Sequence, residues 1–91
     1  MKRFVIDSPD QMKAAALLMK RKSDVQRAHT FAVVWSASVR SGKTVPFKVY
    51  IDLGRNATLH RTLDGVTIDM GEMLLTGVRS FVTDLKEVPI K

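Results

Sequence analysis

Two neighbouring segments, residues 29–40 and 45–53, carry apolar side chains at every second position. In the first segment these residues are Phe31, Val33, Trp35, Ala37 and Val39. In the second they are Phe47, Val49, Ile51 and Leu53. Because side chains alternate between the two faces of a β-strand, each segment predicts a strand with one apolar face. Both apolar rows occupy odd-numbered positions, which predicts an antiparallel pair with the two rows on one face.

The N-terminal residues predict a strand followed by a capped helix. Residues 2–7 read as a short strand. Ser8 suits the N-cap of the helix, Pro9 its first position, and Gln11 completes a capping box. We expect this helix to extend from about Pro9 to Lys22, because the basic residues 20–22 suit the negative end of the helix dipole.

A second helix is predicted near the C-terminal end of the sequence. Asp69 and Glu72 form another capping box, and apolar residues follow at helical spacing. These residues are Met70, Met73, Leu74, Gly77, Val78, Phe81, Val82 and Leu85. We expect this helix to cover the odd-numbered face of the strand pair.

The predicted elements describe a single α+β domain over residues 1–91, with two helices on an antiparallel sheet. If residues 87–91 form a last edge strand, the order β-α-β-β-α-β resembles a ferredoxin-like sandwich. If residues 58–63 form the fourth strand instead, the order is β-α-β-β-β-α and the tail is loose. In both arrangements Asp64-Gly65 suits a tight turn.

The charge is strongly positive, and it is concentrated in the middle of the sequence. The 91 residues carry a net charge of +6, and residues 13–61 contain ten basic and two acidic side chains. Such an excess favours a polyanionic partner. The chain has no cysteine, and neither a signal-peptide core nor a membrane-spanning segment is evident. We therefore expect a soluble cytoplasmic protein in a reducing compartment.

No catalytic, cofactor or metal-binding motif is convincing in the sequence. Residues 37–44 resemble a relaxed phosphate-binding loop, but a true loop of this kind opens a helix, whereas an alternating strand pattern follows here. We therefore predict a hairpin turn at residues 41–43. Neither His29 nor His60 has neighbours at metal-ligand spacing. The sequence predicts a protein that is not an enzyme and needs no cofactor.

Two functions are compatible with these features. The first is an accessory protein that binds nucleic acid mainly through phosphate contacts, with a site formed by Arg40, Lys43, Lys48, Tyr50, Arg55 and Arg61. The alternative is a protein-interaction or inhibitor module of phage or mobile-element type, for which a homodimer is one arrangement. It would use a mildly apolar open sheet face that includes Ala32, Val34 and Tyr50.

Overall fold

The computed structural model describes residues 1–90, in which helices lie on one face of a five-stranded antiparallel sheet. The elements are β1 Lys2–Ile6, α1 Pro9–Ala16, α2 Lys22–Arg40, β2 Phe47–Leu53, β3 Ala57–Leu63, β4 Val66–Met73, α3 Leu75–Phe81, a 3₁₀ helix at Val82–Asp84 and β5 Lys86–Val88. The spatial order of the strands is β4-β3-β2-β1-β5. The α+β class is confirmed, but neither predicted element order is, because two helices separate β1 from β2 and both segments proposed as the fourth strand contribute strands. Lys91, the last residue of the predicted tail strand, lies outside the described residues.

The first strand and the start of the first helix are confirmed. The Ser8 hydroxyl accepts a hydrogen bond from the Gln11 amide, and the Gln11 side chain accepts one from the Asp7 amide. The helix ends at Ala16, not at Lys22 as predicted. Residues 18–20 instead pair with the end of β4: the Lys20 amide donates to the Glu72 carbonyl, and the Leu74 amide donates to the Leu18 carbonyl. These long-range bonds replace a continued helical turn.

The strand predicted over residues 29–40 is wrong, because these residues belong to α2. The side chains that α2 buries are Asp24, Ala28, Ala32 and Trp35, and their spacing is helical. Val33 and Val34 are 45% and 60% exposed, although the strand interpretation would bury Val33 beside Trp35. Small buried side chains at 28 and 32 allow α2 to approach its neighbours closely. Tertiary packing therefore overrides the strand preference of the valines.

The hairpin turn predicted at residues 41–43 is also wrong, because this segment ends α2. Gly42 has a φ of +75°. Its amide donates to the Val39 carbonyl, and the Lys43 amide donates to the Ser38 carbonyl. This is the Schellman arrangement, in which a residue with positive φ lets the chain satisfy the last helical carbonyls. Residues 37–44 therefore close a helix, whereas a phosphate-binding loop would open one.

The C-terminal helix predicted from residue 70 is correct only in part. Residues 70–73 belong to β4, and only residues 75–81 form α3. The predicted turn at Asp64-Gly65 is confirmed, with φ values of +52° and +78°, and it joins β3 to β4. Pairing with β3 thus takes residues 66–73 into the sheet. The register shifts between Leu59 and His60, which leaves Met70 unpaired opposite β3 and gives a β-bulge beside Gly71.

The core lies between the sheet and the helices. The central strands contribute Val49, Ile51 and Leu59 from the covered face, and β1 contributes Phe4 and Ile6. The helices and the segment between α1 and α2 contribute Met12, Ala15, Ala16, Met19, Ala28, Ala32, Trp35 and Val78. None of the described helices is both long and apolar enough to cross a bilayer. The other face of the sheet carries no helix within residues 1–90.

Candidate binding site on the open sheet face

The uncovered side of the sheet, which we call the open face, carries the side chains that alternate with the core residues. They are Arg3, Val5, Lys48, Tyr50, Asp52, Thr58, His60, Thr62, Lys86 and Val88, as the strand registers place them. Tyr50 lies in the middle of β2, which is the third of the five strands. It stands opposite Val5 on one side and His60 on the other. Tyr50 is therefore at the centre of the open face.

An ion pair between β1 and β2 stabilises the arrangement next to Tyr50. Arg3 donates two hydrogen bonds to the Asp52 carboxylate, from Nε at 2.8 Å and from a terminal nitrogen at 3.0 Å. The Arg3 hydrogen bond lowers the pKa of Asp52, and the His60 charge adds to this effect. The hydrogen bond to Asp52 raises the pKa of Arg3. Because both carboxylate oxygens accept from Arg3, Asp52 orients the guanidinium and is poorly available as a general base.

The Tyr50 ring lies between two other planar groups. The central carbon of the Arg3 guanidinium is 5.2 Å from the ring centroid. The centroid of the His60 imidazole is 5.7 Å from it, with an angle of 37° between the two rings. Contacts of this kind between a guanidinium or a second ring and an aromatic ring are attractive. They favour a fixed orientation of Tyr50 on the open face.

His60 is the most enclosed polar residue of this group, with 7% of its surface exposed. Burial lowers its pKa, and the nearby Asp52 carboxylate opposes part of that shift. The distance from His60 Nδ1 to Asp52 Oδ2 is 3.6 Å, longer than a hydrogen bond. The lowered pKa favours the neutral form of the imidazole. His60 thus supports Tyr50 as an uncharged ring.

The six residues predicted to bind nucleic acid do not form one surface. Lys48 and Tyr50 share the open face, two residues apart on β2. Arg40 and Lys43 lie at the end of α2, in the segment that leads into β2. Arg55 lies in the turn after β2, so the length of the strand, about 20 Å, separates it from that end of the sheet.

Arg61 is on the opposite side of the sheet from Tyr50. Its guanidinium carbon is 4.9 Å from the centroid of the Phe31 ring, which belongs to α2. Ala32 and Val34 were expected to add apolar surface to the open face. This prediction is wrong, because both residues are in α2. The apolar side chains of the open face are Val5 and Val88 instead.

The site predicted from the sequence did not include Arg3 or His60. The alternation within each strand shows which face each residue is on. On β1 the core residues Phe4 and Ile6 flank Val5, so Arg3 shares the open face with Val5. On β3 the core residues Ala57 and Leu59 precede His60, which therefore lies on the open face. The prediction assigned a strand to residues 29–40, so it placed a different segment beside β2 and did not bring Arg3 and His60 together. A wrong strand neighbour thus concealed the group around Tyr50.

A depression of about 320 Å³ lies at the end of the sheet next to Tyr50. Its lining includes Val5, Lys48, Tyr50 and Val88. It combines apolar side chains with three aromatic residues, Trp35, Phe47 and Tyr50, and with one basic and one acidic residue, Lys48 and Asp7. Within residues 1–90, no cluster of three or more histidine or acidic side chains could hold a metal ion. Comparisons with protein-family models, curated proteins and solved structures found no match.

Proposed function

We propose that this chain is a small non-enzymatic accessory protein that binds single-stranded nucleic acid on the open face. The observation that supports this most directly is the position of Tyr50, a central aromatic side chain on a sheet face without a helix among residues 1–90. Single strands are held elsewhere by stacking bases on aromatic side chains while basic groups follow the backbone. The absence of cysteine is compatible with a cytoplasmic location.

Tyr50 is suited to stack on a base because its orientation is already restricted. Arg3 and His60 lie beside the ring, so binding needs to order little of the side chain. The adjoining depression, with Val5 and Val88 in its wall, provides apolar surface for the edge of a base. Stacking of one base on an aromatic side chain contributes about 1–3 kcal/mol.

Phosphate contacts would come from lysines at both sides of Tyr50. Lys48 is two residues along β2, about 7 Å away, and Lys86 lies across β1 on β5. Neither lysine has an ion-pair partner among the described residues. Arg40 and Lys43 lie outside the open face, in the segment between α2 and the end of β2 that carries Lys48. With two to four such contacts we expect a log–log salt slope of about −1.5 to −3.

Fluorescence anisotropy with labelled oligonucleotides over a series of salt concentrations tests this proposal. Tyr50→Ala should weaken binding of a single strand by about fivefold or more, whereas Tyr50→Phe should retain most of the affinity. Lys48→Gln should reduce the salt slope by about one contact. Lys22→Gln, an exposed lysine at the start of α2, is the matched control for charge. Unchanged binding by both Tyr50→Ala and Lys48→Gln would refute the proposed surface.

A second candidate function, a protein-interaction module, is favoured by the β3–β4 hairpin. Leu63, Val66 and Ile68 are 36%, 60% and 39% exposed and lie together near its tip. The first half of β4 is a sheet edge without a partner strand among residues 1–90, and such edges can pair with another chain. Light scattering at increasing protein concentration distinguishes the candidates. A dimer abolished by Ile68→Lys, in a protein without affinity for oligonucleotides, would favour this second function.

A further inference from the structure

A pocket of about 300 Å³ lies on the helix-covered side of the sheet, between the start of α2 and strands β3 and β4. Three arginines line it: Arg21, Arg27 and Arg61. We call it the arginine pocket. It is on the opposite side of the sheet from Tyr50, so it belongs to neither the open face nor the proposed nucleic-acid surface. Three guanidinium groups in one concavity repel one another unless an anion or carboxylates compensate them.

Arg61 is unusual because it stands in a row of apolar residues on the covered face. Its neighbours across the sheet are Val49 on β2 and Ile68 on β4. Its guanidinium lies over the Phe31 ring, and its Nε is buried without a hydrogen-bond partner among residues 1–90. A buried donor without an acceptor costs free energy. An acceptor entering the pocket would remove that cost.

Arg27 is oriented by a carboxylate that is itself tightly enclosed. Asp24 is 4% exposed and forms an ion pair with Arg27 one helical turn later. Gly71 gives Asp24 its space, because a Cβ at position 71 would overlap an Asp24 carboxylate oxygen. The ion pair with Arg27 compensates the negative charge of Asp24. Asp69 also lines the pocket, but it stands opposite His60 across the strands, so its side chain belongs to the open face; it accepts a hydrogen bond from the Gly71 amide.

Arg21 places the third guanidinium at the beginning of α2, a helix of 19 residues. It occupies the N-cap position, and no side chain among residues 1–90 caps the first amides of the helix there. The first amides of a helix have no intrahelical acceptor, and the helix dipole makes this end positive. The helix thus adds to the positive potential that the three arginines create.

We propose that the arginine pocket binds a dianionic phosphate group, either inorganic phosphate or the phosphate of a small monoester. The fork of a guanidinium matches two phosphate oxygens, and three forks can satisfy a tetrahedral dianion that one lysine could not. Ile68 and Met70 provide an apolar wall beside the arginines, where the organic part of a monoester would lie. One carboxylate of the pocket, Asp24, opposes the ligand, and it is already paired with Arg27.

Isothermal titration with inorganic phosphate and with phenyl phosphate, at constant ionic strength set by sodium chloride, tests this site. Both ligands should bind with one-to-one stoichiometry and raise the melting temperature. Arg61→Gln and Arg21→Gln should each weaken binding by about tenfold or more, because each removes a charged hydrogen-bond donor. Arg55→Gln, in the turn after β2, removes the same charge away from the pocket and should leave binding unchanged.

Tighter binding of phenyl phosphate would identify a monoester as the ligand, and equal binding would identify the free ion. Arg21 is exposed, so Arg21→Gln tests the site even if Arg61→Gln does not fold. The proposal is overturned if phosphate does not bind, if chloride reproduces the stabilisation, or if Arg55→Gln weakens binding as much as the pocket variants. Tyr50→Ala should not alter phosphate affinity, which separates this site from the open face.

Discussion

Gly71→Ala should destabilise the protein more than replacement of any exposed turn glycine. Two costs combine at this position. The φ of Gly71 is +126°, a conformation that costs other residues about 1–3 kcal/mol. The added Cβ would also overlap Asp24 Oδ2 and would be 2.8 Å from Asp24 Cγ. Asp24 has little freedom to move, because it is buried and paired with Arg27.

We therefore expect Gly71→Ala to reduce the free energy of unfolding by about 2–5 kcal/mol, a large part of the total for a small domain. Gly65→Ala is the matched control, since Gly65 has a φ of +78° but no atom within 4 Å of the position that an added Cβ would take. That substitution should cost about 1–2 kcal/mol through backbone strain alone. Urea denaturation followed by circular dichroism measures both values.

The steric part can be isolated in a double-mutant cycle. In an Asp24→Ala background the oxygen that the new Cβ meets is absent, so Gly71→Ala should cost at least about 1 kcal/mol less than in the wild type. Equal costs for Gly71→Ala and Gly65→Ala, together with additive effects in the cycle, would contradict the close contact between Asp24 and the β4 bulge.

Three further outcomes are expected. The pKa of His60 is lowered from 6.5, so the unfolded chain binds more protons than the folded one as the pH falls through that value, and the free energy of unfolding should decrease there. Urea denaturation at several pH values measures this dependence, which His60→Gln should remove and His29→Gln should leave unchanged. Asp52→Asn removes the charged partner of Arg3, whose side chain is 29% exposed, and should lower the unfolding free energy by about 1–2 kcal/mol in the same assay. Val33→Gln should change the thermal midpoint little, since α2 exposes Val33, whereas a buried strand position would lose about 2 kcal/mol or more.

Local signals in the sequence predicted the parts of the fold that local interactions decide. The capping residues Ser8 and Gln11 identified the start of α1, and Asp64-Gly65 identified the hairpin turn, because each acts within a few residues. The end of α1 could not be predicted in this way. It depends on hydrogen bonds between residues 18–20 and the end of β4, which are distant in sequence.

The two large errors have a common physical cause, which is that apolar spacing was compatible with two periods. Residues 29–40 alternate strongly, but the side chains that become buried in α2 include Ala28 and Ala32, whose small size makes their helical spacing inconspicuous. Met70 and Met73 continue the helical spacing of the apolar residues after them, yet the turn at Asp64-Gly65 directs residues 66–73 along β3. Lys48 and Tyr50 were placed correctly beside each other because the alternation of β2 was genuine. Arg61 does not lie beside them, because its odd-numbered position on β3 puts it opposite Val49 on the covered face of the sheet.

Strand β1 has a consequence for the order of events in folding. It lies between β2 and β5, so Phe4 pairs with Ile51 on one side and with Glu87 on the other. Neither neighbour is close in sequence, and loop-closure entropy opposes both pairings until much of the chain is in place. The β2–β3–β4 meander, joined by short turns, can form earlier because its contacts are local. We expect φ-values of folding kinetics to be high in that meander and low in β1 and β5, so that β1 is among the last strands to enter the sheet although it precedes the meander in the sequence.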